Sequence, residues 1–172
     1  MPKKKTKSRK PKDSNASESL AGNEAYNLEH LMAYRYAILY KLMSRYSAAF
    51  LNEQFELSIA EWRILGQLAY HEEGTVAELA QRTLTDKAQI SRSVQSLHKR
   101  KLVRRRPHAS DSRRVVLSLS KRGVEFVRKV FPHRSEFNEQ LLSQLSQREQ
   151  RSLNNAIGKL TAYLESELGS PS

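Results

Sequence analysis

The stretch from Lys87 to Arg114 gathers side chains suited to a polyanion. Lys87, Gln89, Ser91, Arg92 and Gln95 fall between Ile90, Val94 and Leu97, whose spacing marks the apolar side of a helix, so the polar set faces away from it. The Gln89 amide can pair bidentately with adenine and the Arg92 guanidinium with guanine, whereas Ser91 and Gln95 suit either a base edge or a phosphate. Gln89 has a competing use, because it stands three residues after Asp86, where a side chain can cap the helix. For any one of these residues, a solvated helix face is the alternative. Just beyond lie Lys99, Arg100, Lys101, Arg104, Arg105, Arg106, Arg113 and Arg114, with Asp111 the one acid among them, so residues 99–114 carry +7.

That deposit gives meaning to the formal net charge of +12. Residues 1–27 add +4, and the rest of the chain is nearly neutral. Two local basic deposits on a neutral body fit a polyanion better than they fit general solubility. Other chemistry is thinly represented. There is no Cys, which excludes disulfides and thiolate ligands, and the five His are scattered without metal-ligand spacing. No phosphate-cradling Gly loop and no G-x-S-x-G nucleophile motif occurs. We therefore expect no enzyme, no cofactor and no metal. No run of about 18 apolar residues suggests a membrane span, so the expectation is a soluble, cytoplasmic protein without a membrane partner.

The elements that must hold these residues follow from periodicity and caps. Residues 1–27 offer almost no large apolar side chain before Tyr26 and read as a disordered basic tail, either touching phosphates or solubilising the chain. Leu28, Met32, Leu39, Leu42, Tyr46 and Phe50 predict an amphipathic helix from Leu28 to about Asn52. Ser58 with Glu61 and Thr75 with Glu78 are capping boxes opening two further helices, separated by a break at 71–74. Asp86 caps the helix of the polar row. Two short helices about four residues apart are a helix-turn-helix. After Leu102 the period changes to two: Val115, Leu117 and Leu119 alternate, and 102–106 can pair with them as a hairpin with an arginine-laden tip, a wing. Ser120 opens a helix through Val124, Val127, Val130, Phe137 and Leu141, which Pro132 should kink or interrupt. Ser146 with Glu149 caps a last helix whose stripe is Leu153, Ile157, Leu160, Leu164 and Leu168. The first and last helices carry more apolar surface than a small DNA-reading unit can cover, which points to a core shared between two chains.

The segments LSIAEWRILGQLA, VAELAQRTLTDKAQISRSVQSLHKRKLVRR and SDSRRVVLSLSKRG, in this order, resemble the MarR (multiple antibiotic resistance regulator) family over roughly residues 28–168. The sharpest parts are DKAQISR and the Asp111-Ser112-Arg113-Arg114 run leading into Leu-Ser-Leu-Ser-x-x-Gly. The fold expected is mainly α with a small β-hairpin wing, a winged helix-turn-helix whose terminal helices form a dimerisation region. Its divisions would be a tail (1–27), a first dimerisation helix with lead-in (28–56), the DNA-binding core (57–120), C-terminal dimerisation helices (121–168) and a short end (169–172). The resemblance implies a homodimer on double-stranded DNA at a pseudo-palindromic operator, with Arg113 or Arg114 in the minor groove and Asp111 orienting an arginine without touching DNA. Lys99–Lys101 and Arg104–Arg106 would bind phosphates. Two departures stand out. Lys101 occupies a place where the family commonly has a left-handed Gly, at a cost of about 1 kcal/mol. Ser120 replaces a frequent Thr.

A small-molecule effector in this family usually lies between the DNA-reading core and the dimer helices. Arg35 sits on the apolar stripe of the first helix, flanked by Tyr34 and Tyr36, and a guanidinium among aromatics suits an aromatic carboxylate or its thioester. Tyr36, Tyr40 and Trp62, with His30 and Tyr70, could join such a pocket. The alternatives are a cross-dimer salt bridge or an arginine lying along the surface. The function expected is a transcriptional regulator, a repressor released by ligand, with activation left open. A non-specific, chromatin-like nucleic-acid binder is the rival, because the charge alone would serve it.

Overall fold

The computed structural model describes residues 22–107 and 114–169. The chain divides into two compact units, 1–43 and 44–172. Within the first, two 3-10 turns, Glu24–Tyr26 and Leu28–His30, precede helix α1 (Met32–Phe55), which ends in the second unit. The expected start of α1 at Leu28 is therefore corrected by one turn. The side-chain oxygens of Asn23 and Asn27 accept from the N–H groups of Ala25 and Glu29, local bonds that compete with a continuous helix.

The second unit continues with α2 (Ile59–His71), β1 (Glu73–Gly74), α3 (Val76–Thr83), α4 (Lys87–Lys99), β2 (Val103–Pro107), β3 (Val115–Leu119), α5 (Lys121–Leu142) and α6 (Gln147–Leu168). All three capping boxes form: in each of Ser58/Glu61, Thr75/Glu78 and Ser146/Glu149 the hydroxyl accepts from the acid's N–H while the carboxylate accepts from the hydroxyl residue's N–H. Such a cap contributes about 1 kcal/mol. At the other helix ends the chain does something less expected. Glu56, Leu84 and Lys101 all adopt positive φ (50°, 48° and 61°), and the next residue donates back to the last turn of the helix, Leu57 to Leu51, Thr85 to Ala80 and Leu102 to Leu97. These are left-handed helix stops built without glycine. The two that place a leucine next, Leu57 and Leu102, bury it completely, which offsets the strain at Glu56 and Lys101. Leu84 is 92% exposed and has no such compensation of its own.

The break expected at 71–74 holds a strand instead. Glu72 turns the chain with φ 65°, and Glu73–Gly74 pairs antiparallel with β3, giving the sheet order β1-β3-β2. The hairpin lies one residue from its expected place, with Val103 opposite Leu119 and Pro107 opposite Val115. Leu65, Leu68, Leu79, Ile90, Val94, Leu97, Leu102 and Leu117 form the centre of the core, with Leu51 and Phe55 of α1 and Val127 and Val130 of α5 packed on it. Pro132 does not interrupt α5. It lies on an exposed face, where water can meet the carbonyl its missing N–H leaves unpaired. α6 has no buried residue, and Ile157, Leu160, Tyr163, Leu164 and Leu168 stand exposed along it. No helix among the described residues is long and apolar enough to cross a membrane.

The start of α5 meets the start of the wing at one crowded point. Ser120 caps α5 by accepting from Gly123 N–H (2.9 Å), donates its hydroxyl to the Lys101 carbonyl (2.6 Å), and its own N–H bonds the Leu102 carbonyl (3.0 Å). A methyl on Gly123 would run into that same Leu102 carbonyl, which is backbone and has no rotamer to yield. Gly123→Ala is expected to cost about 2 kcal/mol or more. Gly66→Ala, where an added methyl meets nothing within 4 Å, should be neutral or stabilising by about 0.5–1 kcal/mol. Urea unfolding of the two variants beside the parent measures both.

Candidate nucleic-acid interface

Helix α4 is held at its start by the Asp86 carboxylate, which accepts from the N–H groups of Ala88 (2.9 Å) and Gln89 (3.1 Å). The cap is thus made from one carboxylate and two backbone donors. Ile90, Val94 and Leu97 are buried, and Lys87, Gln89, Ser91, Arg92, Gln95 and Lys99 are exposed. Residues three and four apart are neighbours on a helix, so Lys87–Ser91–Gln95 and Arg92–Gln95–Lys99 form two adjoining polar rows. A groove-wide surface of amide, hydroxyl and guanidinium groups results, with its donors and acceptors turned to solvent.

Arg100, in the middle of the basic run, does not belong to that surface. Its guanidinium donates to the carbonyls of Glu56 (2.7 Å) and Phe55 (3.0 Å) at the end of α1 and lies 5.5 Å from the centre of the Phe126 ring of α5. The expectation of a phosphate contact for Arg100 is corrected: a cation at a helix C-terminus meets unpaired carbonyls and the negative end of the helix dipole.

The wing arginines are partly spoken for by acids. In the sheet register Arg104 sits opposite Ser118, which is opposite Glu73, so these side chains share a face, and Arg106 lies two residues further along it. From there Arg106 pairs with Glu73 across β3 at 2.6 Å. Arg104 donates to the Leu119 carbonyl at 3.2 Å. Arg114 lies 3.7 Å from Glu78, the acid that also caps α3. The Thr75 N–H bond is the main reason the Glu78 carboxyl lies below its ordinary value of 4.5, with Arg82 and Arg114 adding to it. Sequence reading identified Glu78 as a cap and passed over Glu73. The signal for Glu73 would have been a third strand, which two residues are too few to show. Asp111 and Arg113 lie outside the described residues.

Of the residues considered for a ligand, Arg35, Tyr36 and Tyr40 are exposed on α1 in the first unit. His30 there lies 3.6 Å from Glu24. Trp62 is half-buried on α2 in the second unit, its ring centre 6.5 Å from that of Phe131. Tyr70 is 83% exposed with its ring against His71.

A helix-turn-helix, a three-stranded wing and an exposed polar recognition helix define a winged-helix DNA-binding protein. Residues 55–114 match the MarR family. A probable transcriptional regulator from Pseudomonas aeruginosa shares 30% identity, with 77% of this chain and 98% of that one covered and a TM-score of 0.64. A MarR/EmrR family transcriptional regulator from Acinetobacter sp. ADP1 superposes with a TM-score of 0.75 at 23% identity, covering 81% and 99% of the two chains. S. aureus MepR, in complex with DNA, gives a TM-score of 0.70 at 24% identity over 77% and 96%. No curated protein matches the sequence. The chain belongs to the MarR family and is a DNA-binding transcriptional regulator.

Two predictions follow from the acids. Glu73→Gln should free Arg106 for phosphate and raise affinity for random duplex about two- to fivefold at low salt, the gain fading as salt rises. Fluorescence anisotropy across a salt series reads it. Glu78 has its pKa lowered on folding, so its contribution is complete above pH 4.5 and is lost as pH falls through the lower folded value. The Glu78→Gln variant should therefore show a shallower loss of stability than the parent when acidified from about pH 5 downward, measured by urea midpoints.

Proposed function

We propose that the protein is a homodimeric, sequence-specific repressor that reads a pseudo-palindromic operator and is released by a small ligand. The observation that carries the reading is the recognition helix: Gln89, Ser91, Arg92 and Gln95 are exposed together beside Lys87 and Lys99 on a helix whose opposite side is locked into the core. Pure charge binding needs no such amides and hydroxyls. In this reading Gln89 and Arg92 address base edges in the major groove, Ser91 and Gln95 a base or phosphate, and Lys87, Lys99, Arg104 and Arg106 phosphates. Arg113 or Arg114 enters the minor groove, where Asp111 sets an arginine's direction.

The dimer is supported by α6, which exposes Ile157, Leu160, Tyr163, Leu164 and Leu168 and buries nothing in the single chain. A soluble protein rarely leaves so long an apolar stripe uncovered, and a twofold pairing covers it on both chains at once. Domains in this scheme are a basic tail to residue 27, dimerisation segments at 28–56 and 121–168, and a DNA-binding core at 57–120. For the ligand, Arg35 with Tyr36, Tyr40 and Trp62 is the set suggested by residue chemistry, and a planar carboxylate suits it. Its effect on DNA would equal its preference for one dimer shape over the other.

Selection of bound fragments from a random duplex library, near physiological salt, tests the central claim. The expected product is a pseudo-palindrome with half-sites about one helical turn apart. Unenriched fragments would instead identify a non-specific binder. On the selected operator, Gln89→Ala and Arg92→Ala should each cost about 1–3 kcal/mol and relax one base position, while Lys99→Ala should weaken all sequences alike and lower the salt slope by about one. Arg113→Ala should weaken binding and relax the preference for a narrow groove, and Arg35→Ala should leave DNA affinity unchanged. Loss of Gln89 and Arg92 without any change in specificity would refute the assignment of the recognition helix.

A further inference from the structure

The turn between α3 and α4 holds a residue that the fold does not explain. Among the described residues four that are not glycine adopt positive φ, and three of them, Glu56, Glu72 and Lys101, carry exposed charged side chains just past the ends of helices. The fourth is Leu84, with φ 48° and its side chain almost wholly exposed. Its N–H donates to the carbonyls of Ala80 and Gln81, and the Thr85 N–H donates back to Ala80, the pattern of a helix stop that glycine ordinarily completes. A leucine there accepts backbone strain that glycine would avoid, and it buries nothing of its own. Strained residues of this kind cluster at sites of binding and catalysis.

The turn around Leu84 is closed upon itself. The Thr83 hydroxyl donates to the Leu79 carbonyl (2.7 Å), the Thr85 hydroxyl reaches past Leu84 to the Thr83 carbonyl (3.0 Å), and the Asp86 carboxylate accepts from Ala88 and Gln89. The hydroxyls and the carboxylate are thus used within the turn, and what it offers outward is the Leu84 side chain. Leu84 stands three residues ahead of Lys87, at the N-terminal end of α4, and it is this end of a recognition helix that meets base edges. The polar set behind it, Lys87, Gln89, Ser91, Arg92 and Gln95, can read donors and acceptors. None of those groups recognises the one apolar mark in the major groove, the 5-methyl group of thymine. Between Tyr70 and Val115, Leu84 is the only exposed large hydrophobic residue among those described.

We infer that Leu84 is a specificity-determining residue that packs against the 5-methyl group of a thymine in each operator half-site. The inference rests on the sequence-reading role proposed above, to which it adds one residue and one base. Because the backbone of the turn is already fixed by its own hydrogen bonds, little further freedom is lost when the side chain meets the methyl group.

Anisotropy of the full-length protein on the selected operator, with each thymine of one half-site replaced in turn by deoxyuridine, tests it. Deoxyuridine keeps every donor and acceptor of thymine and lacks only the methyl group. For the parent, one replacement is expected to weaken binding about fourfold, the contribution of one buried hydrocarbon carbon. Leu84→Gly and Leu84→Asn keep the turn, because both residues accept positive φ. In each, that deoxyuridine penalty should vanish. Affinity for the unmodified operator should fall about tenfold, since both half-sites lose the contact, while affinity for random duplex stays within about twofold of the parent. The glycine variant should unfold at a urea midpoint no lower than the parent's. A parent that prefers the operator yet tolerates deoxyuridine at every thymine overturns the inference and leaves the sequence-reading role intact. A penalty that persists in both variants overturns it as well, as does equal weakening of operator and random duplex, which would place Leu84 against the sugar-phosphate backbone. A parent with no preference for any duplex overturns the sequence-reading role itself, and the thymine contact with it.

Discussion

The close approach of Gly123 to the Leu102 carbonyl fixes the relation between the elements that face DNA and the helix that leads away from it. At this point α4, which ends at Lys99, turns through Lys101 into β2, and β3 returns to α5, which starts under the Ser120 cap. The Lys101 and Leu102 carbonyls are both satisfied by Ser120, through hydroxyl and N–H, so neither the helix stop nor the strand entry leaves a buried acceptor unpaired. Arg100, one residue earlier, ties the same point to the end of α1 through two carbonyls and to α5 through the Phe126 ring. Recognition helix, wing, α1 and α5 thus converge on a junction with little freedom to shear. A displacement of α5 cannot be absorbed there without moving the wing or the end of α4.

The electrostatics of the wing are tempered. Exposed ion pairs contribute only a fraction of a kcal/mol in water, so Arg106–Glu73 and Arg114–Glu78 add little to folding. Their consequence lies in binding. Either arginine would have to leave its carboxylate before pairing with another anion, so each acid lowers the general attraction of its arginine for a polyanion. Specificity is a difference of affinities, and acids placed beside cations reduce the unspecific term. Glu78 does this while capping α3, so the pair also links the wing to the first helix of the helix-turn-helix.

The helices, and the starts of α2, α3 and α6, were legible because their causes are local: a hydroxyl with an acid three residues on, followed by an apolar period. The wing was legible through its change of period. What escaped the sequence depended on contacts distant along the chain or on stops without their usual marker. β1 is two residues long, too short to alternate, and exists because β3 offers it an edge. The stops at Glu56 and Leu84 carry no glycine and are imposed by the leucine or threonine that follows them back onto the helix. Lys101 was anticipated only through its family position. Arg100 could not be told from its basic neighbours, because what distinguishes it is the free carbonyls of α1, brought to it by the fold. Asparagine side chains delayed α1, and exposure allowed Pro132 to stay inside α5.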